Sequence, residues 1–315
     1  MRSRLPRSLT LAFSVALAAC QPPPATDQAP AAARARIAIL TAMPIELAPF
    51  LDAAQIERRE VINGRTHHVG TIDGADVVMA AFGISMVNAT MGAQLVLDRF
   101  DVGAIVVAGI AGGASPEIRI GDVTVPARWV QYQEHVFTDA SRTGWRRGWR
   151  NEDLGAYGMM YPQRVWATAP NIEADAEHLK LWFDVDGALL AATRALVADI
   201  ALEQCTPGGE CVEHEPVLRV GGNGASGPTF VDDAAYREWI WEVFAPDSFD
   251  METAAIGHVA YANGVPYVGV RAISDMAGAN PNENRVESFA PVAANNAAAV
   301  VRALIRNWPG VPAAE

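Results

Sequence analysis

The sequence predicts an α/β fold built on one largely central sheet. Short apolar, β-branched runs alternate with segments of helical spacing from Arg36 to the C-terminal end. One run, VPYVGVRAIS (Val265–Ser274), is almost continuously apolar, as expected for a strand covered on both faces. The 315 residues, 50% of them hydrophobic, are ample for one large core.

The first 19 residues read as a targeting segment. MRSRLPR carries three arginines, and the apolar run SLTLAFSVALAA is too short to span a bilayer. It ends in LAAC, which resembles a bacterial lipoprotein signal, so lipidation at Cys20 is expected. Gln21 in the next position favours the periplasmic face of the outer membrane. Residues 20–34, rich in Pro and Ala, are expected to form a flexible or polyproline-like tether. Losing the three signal arginines takes the formal charge from −12 to −15. With acids spread along the chain and no basic block, a nucleic-acid partner is not expected. Lys180 is the only lysine, which excludes a GxxxxGKS/T phosphate loop.

The folded domain is expected over 35–310. RIAIL is the first strand, and IELAPFLDAA starts a helix. HHVGTID and ADVVMAAFG form a hairpin around Asp73-Gly74. MVNATMGAQLVLDRF is a helix, AIVVAGIAGG a strand breaking into glycines, and IGDVTVPARWVQ another strand. Residues of about 135–183 hold four of the eight tryptophans without a clean period, and read as an insertion packed on the body. GALLAATRALVADIALEQ reads as one amphipathic helix, VLRVGG as a strand, and DDAAYREWIWEVF and TAAIGHVAYANG as helices. PVAANNAAAVVRALIRNW closes the domain as a helix. In CTPGGEC, Pro-Gly-Gly turns the chain tightly, and an exported protein meets oxidising conditions, so Cys205 and Cys211 are expected to form a disulfide. The weaker alternative, a zinc site with His214, has a thin ligand set, and no metal is expected.

Three acids stand where strands end. Glu46 follows the first strand through TAMPIE, Glu252 follows FDM, and Asp275 follows VRAIS. Ligands of open α/β sheets bind outside the carboxyl ends of strands. Each acid also has a structural reading: Glu46 and Glu252 as helix N-terminal acids, Asp275 as a turn cap. The GIAGG loop, with Gly112, either offers backbone N–H groups to a ligand or simply turns the chain. Residue types alone leave these alternatives open.

In order, TAMPIE, FGISMVNAT, VVAGIAGG, IGDVTV, GPTFV, FDMETAAIGHVA and VRAISD resemble the nucleoside phosphorylase and nucleosidase superfamily, nearest to its methylthioadenosine/S-adenosylhomocysteine nucleosidase branch. The resemblance runs from about Arg36 to Trp308. It implies a three-layer α/β/α fold whose mixed central sheet partly curls into a barrel. It further implies cleavage of the N-glycosidic bond of a purine nucleoside, no cofactor, and a homodimer. Carried over by motif, Glu252 accepts the ribose hydroxyls, Met251 and Met43 pack on the sugar, and Asp275 protonates N7 of the purine. Asp275 must then be a carboxylic acid at neutral pH, and burial is expected to raise its pKa. Glu46 activates water, Phe230 stacks on the base, and the Val231 backbone reads its edge. Gly112 and Arg271 are expected at the substrate. Phosphorylases place an arginine where this chain has Val107-Ala108, so hydrolysis is favoured over phosphorolysis. GIAGG and GPTF replace the GSAGG and GDAF of bacterial nucleosidases. With the insertion, they resemble plant bark and vegetative storage proteins, which makes a catalytically weak nucleoside-binding lipoprotein the alternative.

Overall fold

The structure, a computed structural model, describes residues 35–139, 154–173, 178–206, 208–279 and 285–309. The signal segment, the tether, Cys20, Trp145 and Trp149 lie outside the described residues. In chain order the elements are β1 (Arg36–Thr41), α1 (Pro44–Ala53), β2 (Gln55–Ile62), β3 (Arg65–Ile72), β4 (Ala75–Ala81), α2 (Met86–Arg99) and β5 (Val102–Gly113). Next come β6 (Val123–Val125), β7 (Arg128–Gln131), β8 (His135–Phe137), β9 (Met160–Pro162), β10 (Val165–Trp166), β11 (Leu179–Lys180) and β12 (Trp182–Asp184). The chain continues with α3 (Gly187–Arg194), β13 (Leu218–Val220), β14 (Asn223–Ser226), α4 (Ala234–Phe244) and β15 (Pro246–Asp250). It ends with α5 (Thr253–Asn263), β16 (Tyr267–Asp275) and α6 (Val286–Arg306).

The main sheet is mixed and branches at β5, whose 12 residues are long enough to serve three neighbours. Its first half runs parallel to β1, most of its length runs parallel to β16, and its last two residues meet β15 antiparallel. One branch continues through β1, β4, β3 and β2; another through β15, β14, β7 and β12; a third through β16, β6 and β13. The segment expected as one strand, Ile120–Gln131, is divided at Pro126, which has no N–H for a ladder. Its two halves serve different branches. Among the described residues no ladder joins β6 to β7, so these two branches are linked there by the chain alone.

All nine residues of β16 are buried, as its apolar run requires, with α6 packed on it. Helix α5 is lined by Ala254, Ala255, Gly257 and Ala260, small enough for close approach; a Cβ on Gly257 would stand 2.6 Å from the Tyr267 hydroxyl. Gly264, at φ 66°, ends it in the left-handed conformation that favours glycine.

Four further elements differ from expectation. β2 is absent from the sequence reading because ERRE shows no alternation; it is a charged edge strand, paired with β3 through Asn63-Gly64, both at positive φ. β14 and β15 are too short to announce themselves. The helix expected from Gly187 to Gln204 stops at Arg194. Thr193 turns its hydroxyl onto the Leu189 carbonyl (2.8 Å), and Asn296 of α6 instead clamps the Glu203 backbone, accepting its N–H at 2.6 Å and donating to its carbonyl at 2.9 Å. Leu196, Ile200 and Leu202 therefore pack on the core from turns.

The mid-chain insertion packs partly on α4. Trp239 donates its ring N–H to the Gly155 carbonyl (3.1 Å), and Tyr157 meets Tyr236 edge-on. Cys205 and Cys211 form a disulfide, and His214 pairs with buried Asp122 at 3.0 Å, so neither side offers the zinc ligand set. The bond closes a loop of sequence separation six. Replacing both cysteines by serine is expected to cost about 2 kcal/mol through loop-closure entropy and to lower the melting temperature by several degrees. Reducing the native protein in a calorimeter should reproduce that shift.

Candidate functional site

A cavity of about 260 Å³ opens where the carboxyl ends of β1, β5, β15 and β16 converge. It is near the lower end of the range for ligand pockets, roughly 300–1,000 Å³. Its wall includes Ala42, Met43 and Glu46, then Ile84, then Ile110, Ala111 and Gly112, then Thr229, Phe230 and Val231. Phe249, Asp250, Met251, Glu252, Ser274, Asp275 and Val286 complete it. The three acids from distant parts of the sequence therefore do meet. Met43, Met251, Phe230, Val231 and Gly112 also stand in the wall. Phe230 is 56% exposed, whereas Val231 is buried. No described residue of the 135–183 insertion lines the cavity.

Glu46 sits in the first turn of α1 and is 2% exposed. Its Oε2 accepts the backbone N–H groups of Ala42 and Met43, each at 2.8 Å, and its Oε1 accepts that of Ile110 at 2.9 Å. Glu46 thus ties the start of α1 to β5 while standing in the cavity wall. A carboxylate offers about four acceptor sites, so three backbone bonds leave room for one further donor. Ile110 serves this contact through its backbone, so the departure from GSAGG does not remove it.

Glu252 occupies the N-cap position of α5 but makes no capping bond. Asp250 accepts from the N–H groups of Glu252 (3.1 Å) and Thr253 (3.2 Å) in its place. That frees Glu252 to face the cavity. Its Oε1 accepts the Ser85 N–H at 2.7 Å. Ser85 presents that N–H from φ 84°, ψ 159°, a backbone conformation rarely adopted outside glycine. Asp275 ends β16, and Ser274 donates its hydroxyl to Asp275 Oδ1 at 3.0 Å. The register with β5 slips by one residue between Ile273 and Asp275, and such bulges re-aim side chains beside sites.

Arg271 departs from the expectation that it contacts substrate. It is fully buried and absent from the cavity wall. Its guanidinium lies behind the acids, 2.7 Å from Asp250, 3.3 Å from Glu252 and 3.8 Å from Glu46. Gly109 makes this possible, since a Cβ there would collide with both Glu46 and Arg271. The sequence shows Asp250 beside Glu252 but assigns no role to it or to the Ser85 N–H. An acid two residues before Glu252 was visible; its bond to Arg271 was not.

Burial pushes the Glu46 carboxyl above its ordinary range, opposed by Arg271 and the three backbone donors. Burial likewise pushes Glu252 up to about 7, again opposed by Arg271. Three carboxylates around one guanidinium cannot all ionise cheaply. For a carboxyl raised in the folded state, the favourable contribution is present at low pH and lost as pH rises through the folded value. Arg271→Met, which leaves the acids uncompensated, is expected to lose about 3–5 kcal/mol at pH 8. The deficit should narrow toward pH 5, below the value of about 7 to which Glu252 is raised, where that carboxyl holds a proton. Urea unfolding of both proteins at the two pH values checks this; an equal deficit at both would contradict it.

The profile of the Phosphorylase superfamily matches residues 36–306. The 5′-methylthioadenosine/S-adenosylhomocysteine nucleosidase of Geobacillus thermodenitrificans is 29% identical over 273 residues, covering 86% of this chain and 96% of that protein. The corresponding Marinomonas protein is 26% identical, over 86% of this chain and 98% of its own. Among solved structures, the S. pneumoniae 5′-methylthioadenosine/S-adenosylhomocysteine nucleosidase, with a transition-state inhibitor, aligns with a TM-score of 0.64 at 24% identity, over 86% of this chain and 99% of that one. The futalosine hydrolase of Helicobacter pylori aligns with a TM-score of 0.64 at 21% identity, over 86% and 97%. These last two show a shared fold. The profile runs from the first residue of β1 to the last of α6, and the chain belongs to the Phosphorylase superfamily.

Proposed function

We propose that the protein is a purine nucleosidase, hydrolysing the N-glycosidic bond of a purine nucleoside, and that it works outside the cytoplasm on a lipid anchor at Cys20. The observation that carries the reaction is the charge of the cavity. Its wall holds Glu46, Asp250, Glu252 and Asp275 and, among the described residues, no lysine or arginine. A phosphate nucleophile needs cations or a dense set of N–H donors. Here the Ile110 N–H is already given to Glu46, and Arg271 is enclosed by three carboxylates. Water suits such a site.

In this reading Asp275 gives a proton to N7 of the purine as the bond from N9 to C1′ of the ribose breaks. Water adds its oxygen to C1′ and yields a proton to Glu46, whose raised pKa matches that task. Glu252 accepts the ribose hydroxyls with the acceptor sites left beside Ser85 and Arg271. The acids lie close to the cationic, oxocarbenium-like sugar formed between these events and stabilise it. The names of the relatives make 5′-thio-substituted adenine nucleosides the first substrates to try. LAAC followed by a Pro/Ala tether supports the anchored location.

Protein from Gln21 onward, incubated with adenosine, inosine, guanosine and methylthioadenosine, is expected to release free base without phosphate. Asp275→Asn and Glu46→Gln should each lower kcat by about 10²–10⁴. No release from any nucleoside would leave a binding lipoprotein, and release only with phosphate would make it a phosphorylase. In a bacterial host, the full chain should incorporate labelled fatty acid and partition with membranes. Cys20→Ala should lose both properties, and an unlabelled wild-type protein would refute the anchor.

A further inference from the structure

The mechanism leaves one acid of the cavity wall unused. Asp250 ends β15 with its side chain 1% exposed. Its Oδ1 accepts from the Ser226 hydroxyl and from the N–H groups of Glu252 (3.1 Å) and Thr253 (3.2 Å). Its Oδ2 accepts from the Thr253 hydroxyl and faces Arg271 Nε at 2.7 Å. Such a set of donors leaves no acceptor site for substrate. Asp250 is also the nearest of the three carboxylates to Arg271, against 3.3 Å for Glu252 and 3.8 Å for Glu46.

We propose that Asp250 is a positioning residue that takes up the charge of Arg271, so that the guanidinium fixes where Glu46 and Glu252 stand without holding either carboxylate in its ionised form. The proposal rests on reading those glutamates as working acids of a nucleosidase.

The physical reason is charge balance in a dry interior. An uncompensated guanidinium this close to Glu46 and Glu252 would favour their ionised forms strongly, and a base held ionised far below neutral pH is a poor proton acceptor. Glu46 faces the N–H groups of Ala42 and Met43 from the β1–α1 turn, that of Ile110 on β5, and Arg271 on β16. Glu252 faces the Ser85 N–H before α2, Arg271 on β16, and the charges of Asp250 and Glu46. Tyr132, just after β7, and Tyr267 on β16 lie near enough to Asp250 to feel its charge. Arg271 is thus the cation among these groups, and Asp250 is its closest partner. Both glutamates are raised by burial despite it.

The test reads carboxyl titrations by NMR on protein labelled with ¹³C-glutamate, with resonances assigned through Glu46→Gln and Glu252→Gln. Asp250→Asn is expected to move both titrations down by about one pH unit. The acidic limb of the kcat/KM profile should follow. Ser226→Ala, which removes a donor to Asp250 but no charge, should leave both in place even if it lowers stability. Asp250→Asn/Arg271→Gln removes the pair as a neutral unit, and should bring both titrations back to within a few tenths of the wild-type values. Unchanged titrations in Asp250→Asn, or a double variant displaced as far as the single, would overturn the proposal. Should Asp250→Asn fail to fold, the double variant against wild type decides alone: titrations in place support the proposal, and a shift of about one unit refutes it. The NMR titration needs no turnover, so an inactive wild type would sink the nucleosidase reading while leaving this test intact.

Discussion

One buried guanidinium ties together the parts of the chain that make the site. Arg271 reaches Glu46 from the α1 turn, Asp250 from the end of β15 and Glu252 from the start of α5. These acids lie about 200 residues apart at the extremes of the sequence, and without a shared cation their mutual repulsion in a water-poor interior would drive them apart or neutralise them. Burial first, and the neighbouring carboxylates after it, raise the Glu252 carboxyl against the opposing pull of Arg271.

The backbone around that ion cluster is shaped to match. Gly109 gives the strand β5 no side chain where the glutamate and the guanidinium press against it. The bulge at Ser274 re-aims Asp275 relative to Arg271, although the two share one strand. Ser85 takes an unfavourable φ to offer one N–H to Glu252. Each device spends local conformational freedom on a polar contact that the cavity requires. Charge sign then separates water from phosphate as nucleophile, since the cavity wall is acidic and its nearest cation is enclosed.

The main elements were legible because their signals are local. β16 showed itself by an unbroken apolar run, the β3–β4 hairpin by Asp73-Gly74, and α5 by small residues closed with Gly264. Asn63-Gly64 is an equally good hairpin signal, but the charged ERRE beside it hides the strand. The false extension of α3 has another origin: apolar spacing records which residues will be buried, and turns packed on a core bury them as well as a helix does.

The sequence by itself determined the alternation of strands and helices, the acids Glu46, Glu252 and Asp275 as a candidate set, and the family motifs that link them. Those features depend on residue types at short spacing, which a linear reading can see. The tertiary structure alone decided that Arg271 lies behind the cavity and not in it, that Asp250 caps α5 in place of Glu252, and that Gly155 and Tyr157 of the insertion pack on α4, with no described residue of the insertion in the cavity wall. These depend on distances between groups brought together only by folding, where burial and charge settle which partner each acid keeps.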